Sequence, residues 1–375
     1  MSKVKVIYTC KAEWEHDWLK DVLFADIEFD FINDPDMTTV EPNSIIVYNE
    51  TNEGKLMDYI NKYTAKGYRF ALIHLSDEAY QGPNRIYANA QFVYRNYYTS
   101  KFDKVGTPVE CFPLGWKTGF PRTEPKSITN RKYTWNFIGQ VEFKPTRQDM
   151  LKVLNEIPKG YVHETKQWDD PNGLGIEEYH AILNESIYTA CPMGWCNPDS
   201  FRLCEALEAG SIPIVDNPEY FDKFFGEYPF PAIKSWYQLP DIRDRKKIKS
   251  LQKKCIEWWA DYKVKMAAKF KQYVDKLIDT ESELVRVNLS NKSLEDFIAV
   301  SDVTKLSENS VDEIRADGVL CEIEDKDLVV NLQAWAKALK PGGKLLVCDI
   351  PNFAMLTKCY TSEALNEEGK PYDIY

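Results

Sequence analysis

Arg202 and Glu205 stand three residues apart in the run Pro198-Asp199-Ser200-Phe201-Arg202-Leu203-Cys204-Glu205. On a helix that spacing puts a guanidinium and a carboxylate on one face. Pro198, Asp199 and Ser200 are helix starters, since short oxygen-bearing side chains can cap free amides and a proline suits a first turn. An anion such as a diphosphate would meet the amides of Ser200 and Phe201 together with the Arg202 guanidinium. Glu205, one turn further, would accept hydrogen bonds from two ribose hydroxyls. The same spacing describes a capped crossover helix with an internal ion pair.

The flanking residues fix the elements that would carry this pair. Residues 187–191 are an apolar run ended by Pro192 and Gly194, as for a buried parallel strand leaving its sheet. Gly210 stops the helix, and 211–215, again apolar and β-branched, close a crossover between parallel strands. The whole run CPMGWCNPDSFRLCEALEAGSIPIV resembles the signature of exostosin-like glycosyltransferases. Two further segments resemble that family, WNFIGQVEFKPTR at 135–147 and FPLGWKTGF at 112–120. The matches span roughly residues 70–235. They imply an α/β protein of the GT-B type, two Rossmann-like domains facing a cleft, transferring a sugar from a nucleoside diphosphate with inversion.

That resemblance divides the chain at the polar, proline-bearing stretch 120–132: an acceptor-side domain over 1–122 and a donor domain over 123–280 with basic helices at its end. In the donor domain, Gly139 ends a strand over 133–138, where the missing side chain lets backbone approach a phosphate or sugar. Arg147 falls in the first turn of the next helix and would reach a phosphate, a role that only the resemblance raises above that of a surface arginine. His163, after a strand over 160–162, is placed to meet the donor with Glu164. Tyr179 and His180 read as ordinary residues of an amphipathic helix. In the first domain, strands over 4–8, 27–31, 44–48, 70–75 and 91–94 alternate with helical patterns near 13–24 and 53–66. No GxGxxG follows the first strand. The acceptor half of such an enzyme needs a base for the attacking hydroxyl, and ligands collect at the carboxyl ends of parallel strands. Asp77 in IHLSDE is the first candidate, Glu78 the second and Glu50 the third. The alternative is that this Ser-Asp-Glu only caps a helix. Arg95, Asn96 and Tyr97 are candidate acceptor or phosphate contacts.

Composition bounds the rest. The net charge of -11 argues against nucleic acid as a partner. Nine cysteines without a CxxC pair read as thiols of a reducing compartment, neither a zinc site nor a disulfide framework. MSKVKVIYTC runs directly into a strand and no apolar run spans a bilayer, so the expectation is a soluble cytoplasmic protein, closer to bacterial or viral relatives than to the membrane-anchored animal enzymes. Asp34-Pro-Asp36 and Asp169-Asp170 resemble metal-holding acid pairs, yet their prolines mark turns. A GT-B cleft uses a helix terminus and arginines in the metal's place, so no essential metal or cofactor is expected beside a nucleotide-sugar donor, with UDP first.

Residues 243–278 are strongly helical and basic, with Trp258, Trp259, Tyr262, Met266 and Phe270 at helical spacing. That face either packs back across the cleft or lies on an anionic membrane surface. Over 281–375, SVDEIRADGVLCEI and LQAWAKALKPGGKLLVCDIPNF resemble class I methyltransferases that use S-adenosylmethionine. Their cofactor loop has no glycine here, Asn288 to Asn291 standing in its place and Asp302 one position from the ribose-binding acid, so the segment reads as truncated and degenerate, kept for packing, oligomerisation or partner docking. The expected function is transfer of a sugar to a glycan hydroxyl. The alternatives are a non-catalytic glycan-binding or scaffold protein and a bifunctional transferase and methyltransferase.

Overall fold

The computed structural model describes residues 3–49, 52–82, 84–102, 106–142, 144–168, 170–239, 245–278, 286–288, 298–299, 311–317 and 325–348. Glu50, Asp169, Asn291 and Asp302 lie outside them. The chain divides into two compact units, Met1–Ile278 and Asp279–Tyr375.

The first unit holds two parallel sheets. Six short strands, β1 (Val4–Tyr8), β2 (Phe29–Asn33), β3 (Ser44–Tyr48), β4 (Phe70–His74), β5 (Val93–Arg95) and β6 (Val109–Cys111), stand in the order β2-β1-β3-β4-β5-β6. Their centre, SIIVY in β3 and FALIH in β4, is buried at every position, as a parallel sheet covered on both faces requires. β6 has no signature in the sequence, being three residues long with Glu110 in its middle. The expected helix near 13–24 is only the turn α1 (His16–Trp18) running into a π-turn at Leu19–Leu23, closed by Phe24 N donating to Leu19 O. The wide turn lets Trp18, Leu19, Val22, Leu23 and Phe24 all face the core. α2 (Glu53–Ala65) starts where the Asn52 side chain accepts from Lys55 N at 3.0 Å, the expected cap.

The second sheet comprises β7 (Tyr133–Gly139), β8 (Gly160–Glu164), β9 (Ser186–Cys191), β10 (Ile212–Asp216) and β11 (Ala232–Ile233), ordered β11-β10-β9-β7-β8. It carries α3 (Pro145–Leu154), α4 (Ile176–Asn184), α5 (Phe201–Glu208) and α6 (Pro218–Phe225). Both sheets place their second strand outside the first and run outward on the other side from the third, so the order reverses between β1 and β3 and again between β7 and β9. Such reversal points open a crevice beyond the carboxyl ends of the strands.

α7 (Arg245–Ile278) joins the two halves. Trp259 stacks on Trp18 of the first half at 5.6 Å with the rings parallel within 1°, and Phe270 meets Phe24, Phe92 and Tyr94. Toward the second half, Lys263 Nζ and Trp259 Nε1 both donate to Glu208 Oε2, at 2.6 and 2.8 Å. Gly115 makes room for the stack: its φ is +72° and an added Cβ would meet the Trp18 ring at 2.1 Å. The aromatic face of α7 is packed against the core.

The second unit is described by a parallel sheet ordered β13-β12-β14-β15, formed by β12 (Arg286–Asn288), β13 (Ile298–Ala299), β14 (Val311–Asp317) and β15 (Leu339–Cys348), with α8 (Asp325–Ala338) before the last strand. Val311 faces Leu339 while Glu313, two residues on, faces Lys344, five residues on. The register therefore slips at Lys340-Pro341-Gly342-Gly343. Ile314 and Trp335 are buried here.

Candidate active-site cleft

A cleft of about 570 Å³ opens in the first unit, with walls from both sheets. α5 forms one wall. Gly210, at φ +63°, ends this helix as expected, with Ser211 N donating to Ala206 O. At its start the expected capping fails: Ser200 is the extended residue before the helix, but its side chain makes no cap hydrogen bond. Ser200 Oγ is buried without a partner among the described residues and lines the cleft instead. Leu203 N turns back to Ser200 O at 3.1 Å, and the Ser200 side chain covers none of the amides at this helix start.

Arg202 does not pair with Glu205. Its Nε and Nη2 donate to Ile138 O at 3.1 and 2.9 Å, and the guanidinium lies 4.9 Å from the Phe137 ring centroid. Nη1 is buried and unpartnered among the described residues. Gly139 follows directly, with φ +146°, and an added Cβ would meet Arg202 Nη2 at 2.6 Å. The glycine therefore clears the arginine, where the sequence reading had it clear a ligand. Arg147 is buried rather than on the surface, donating to Gln140 O and Met193 O, each at 2.8 Å. It ties the residue after β7 to the loop after β9 across the reversal point. Its Nε also lacks a partner. Burial, and then the neighbouring Arg202, lower its pKa to about 10. Both guanidinium groups line one cavity, and each has a buried N–H without a partner among the described residues, an arrangement suited to an anion.

Glu205 is buried in the cleft wall, and burial raises its pKa. Its Oε1 accepts from Lys117 N at 3.1 Å and its Oε2 from Tyr179 Oη at 2.8 Å. Tyr179, read as an ordinary helix residue, thus belongs to the site, and a ribose would share Glu205 with it. Phe201 lines the cleft beside Trp168 at 6.1 Å, and Trp168 meets Trp14 of the other half edge-on at 5.9 Å. His163 is not among the residues lining the cleft: its Nε2 is 2.9 Å from Asn172 O, so the ring braces the 165–174 loop.

On the opposite wall the acids exchange roles. Asp77 does not line the cleft; its Oδ2 pairs with Arg95 Nη2 at 3.1 Å and its Oδ1 accepts from Gln81 N and Gly82 N. With those bonds made it braces the turn over 78–82, where no helix starts for it to cap. Arg95 is completely buried, also donating to Tyr87 Oη and Asn96 O, and so holds the core rather than an acceptor. Asn96 is likewise internal, receiving Ser76 N and donating to Phe112 O. Tyr97, at φ +61°, does line the cleft. Glu78 lines it too, its Oε1 accepting from Cys196 N at 2.7 Å and Asn197 N at 3.1 Å of the opposite half. Tyr80 Oη donates to Asn197 Oδ1 at 2.6 Å beside it. This clasp joins the two walls and leaves Glu78 Oε2 for other contacts.

Two acids escaped the sequence reading. Asp216, which ends β10, accepts from Met193 N at 2.8 Å and thereby sets the carbonyl that Arg147 holds. Asp199 was read only as a helix starter, yet it is 1% exposed, lines the cleft, and has one oxygen unpartnered. No pattern marks either; both are defined by what folds around them. The expected metal-like acids are turn residues: Asp34 accepts from Thr38 N and Thr39 N, and Asp170 from Lys166 N and Asn172 N. No cluster of metal-ligating side chains occurs among the described residues.

The fold and cleft define a class, an α/β protein with two parallel sheets whose reversal points share an arginine-lined cavity. Residues 117–278 match the family model of the RXYLT1 C-terminal domain, a span that contains Gly139, Arg147 and Ser200 to Glu205. The chain is 27% identical over 201 residues to ribitol-5-phosphate xylosyltransferase 1 of Mus musculus, covering 45% of each protein. To its counterpart in Homo sapiens it is 27% identical over 190 residues, covering 42% of each. It thus spans less than half the length of these relatives. They are animal proteins, where the sequence reading expected a bacterial or viral type. Among solved structures it is similar to HepE of Anabaena in complex with UDP, with a TM-score of 0.47 and 10% identity over 73% of this chain and 100% of that one. No helix among the described residues is long and apolar enough to cross a membrane.

Proposed function

We propose that this chain is an inverting glycosyltransferase that uses a UDP-sugar. The observation that carries the reading is that Arg202, Arg147 and Ser200 line one cleft beside a helix start that the Ser200 side chain does not cap, while Arg202 Nη1, Arg147 Nε and Ser200 Oγ are buried and without partners among the described residues. Buried donors left unpaired cost about 1–3 kcal/mol each, and a diphosphate would satisfy them together. The relatives' name directs the first assays to a xylosyl donor and a ribitol-5-phosphate acceptor.

In this mechanism the acceptor hydroxyl oxygen attacks the anomeric carbon as its bond to the β-phosphate oxygen breaks. UDP leaves with the bonding electrons, and the hydroxyl proton passes to a carboxylate. Glu78 takes that proton in our reading, since it faces the cleft from the half opposite the arginines while Asp77 does not. The guanidinium groups and α5 amides stabilise the charge growing on the departing diphosphate. That positive set supports turnover without an essential metal.

Calorimetry with UDP, GDP and UDP-sugars tests the donor reading, with Arg202→Ala expected to lose nucleotide binding. Unchanged glycan affinity together with no nucleotide binding in the natural chain would favour the non-catalytic module. The anomeric configuration of the product, read by NMR, tests inversion. For residues 279–375 we propose a degenerate methyltransferase-like unit used for packing or docking; measurable S-adenosylmethionine binding would replace that with the bifunctional reading.

A further inference from the structure

Asp199 is an acid of the donor wall that is only partly satisfied by its surroundings. It is 1% exposed, and its contacts are backbone amides alone, Leu114 N at 3.4 Å from Oδ2 and the adjacent Ser200 N. Its Oδ1 has no partner, and no cation pairs with it among the described residues. Glu78, across the cleft, adds a like charge, and burial with that neighbour pushes its pKa up to about 7. A carboxyl so placed is costly in the empty protein, and the residue that carries it lines the cleft.

Its position indicates what completes it. Asp199 directly precedes Ser200 and Phe201, whose amides begin α5 at the anion site. A sugar carried on the outer phosphate of a diphosphate held there lies within one ring's reach of the preceding residue. The ring offers hydroxyl donors, the group that Oδ1 lacks. Glu78 approaches from the other half, where the acceptor would enter. We infer that Asp199 is the sugar-selecting residue of the donor site, its free Oδ1 accepting a hydrogen bond from a hydroxyl of the transferred sugar.

This inference rests on the UDP-sugar reading, and the test separates the two. Calorimetry with UDP alone and with UDP-xylose, UDP-glucuronate, UDP-galactose and UDP-N-acetylglucosamine is run on the full chain and on its Asp199→Asn and Asp199→Ala forms. The readout is the ratio of each UDP-sugar affinity to the UDP affinity. For the sugar the natural chain favours, Asp199→Ala should lower that ratio at least about tenfold, because a site built for a hydroxyl discriminates strongly on it. Asp199→Asn, which keeps one acceptor oxygen, should lower it less. UDP affinity itself should move less than about threefold, which also reports that the variants are folded. Ratios unchanged for every sugar overturn the inference while leaving the transferase reading standing. A loss of kcat with ratios unchanged assigns Asp199 to proton transfer and likewise overturns it. No UDP binding by the natural chain overturns both.

Discussion

From α3 and α5, Arg147 holds Gln140 O and Met193 O while Arg202 holds Ile138 O, and each retains an N–H without a partner among the described residues. Arg202→Lys should therefore be nearly as damaging as Arg202→Ala, because an ammonium cannot hold Ile138 O and a phosphate oxygen in one planar fork. A loss of UDP affinity of about 10- to 100-fold in both is expected by calorimetry. Asp199 makes a prediction about stability. Its ordinary value is 3.8 and its folded value about 7, so between those limits the native state holds the proton that the unfolded chain releases. Stability then falls as pH rises from about 4 to 7, by up to roughly 1.4 kcal/mol per unit. Asp199→Asn removes this contribution, so the variant should gain on the natural chain by a few kcal/mol at pH 8 and show no gain at pH 4. Paired thermal melts at the two values check the sign. A site acid that destabilises the empty protein is what a ligand-completed residue should look like.

At the scale of elements, α7 is the joint. Trp259→Ala should destabilise the chain by about 3–5 kcal/mol and loosen the contact with Trp18, whose loss would show in the near-ultraviolet circular dichroism. The sequence revealed this helix well, since its aromatic spacing and lysine-covered face state one buried side. It likewise revealed α5 and its glycine stop, because β-branched runs, a proline and a left-handed glycine are local signals. Residue roles in the cleft were less legible. Asp77 and Glu78 are neighbours with the same chemistry, and only the turn that hands Asp77 to Arg95 separates them. Gly139 is expected from the sequence to admit a phosphate or sugar, and what the structure places against it is Arg202, 63 residues on in the chain. Tyr179 acts through Glu205 on α5 and Asp216 through Met193 in the loop after β9, which no short pattern encodes. Gly139→Ala makes that visible: it should weaken UDP binding about tenfold through displacement of Arg202 while leaving the melting temperature less affected than Trp259→Ala does.

At the scale of the molecule, the two compact units predict that residues 1–278 fold as a unit and bind UDP as the full chain does, which expression of that span and calorimetry would check. Equal activity of that span would place the second unit outside catalysis. Chelation bears on the same scale. Because the positive charge at the diphosphate site is built from arginines and α5 amides, excess EDTA should leave turnover within about twofold, measured as UDP release.

The facing guanidinium groups also make the empty cleft sensitive to its solvent. Inorganic phosphate and sulfate carry charge and oxygens of the kind the proposed donor site would receive at Arg147, Arg202 and Ser200, so either ion should act as a weak competitor and as a stabiliser of the folded state. The choice of buffer thereby becomes a variable of the enzyme: in phosphate the melting temperature should rise while apparent donor affinity falls, and in chloride of equal ionic strength both effects should vanish.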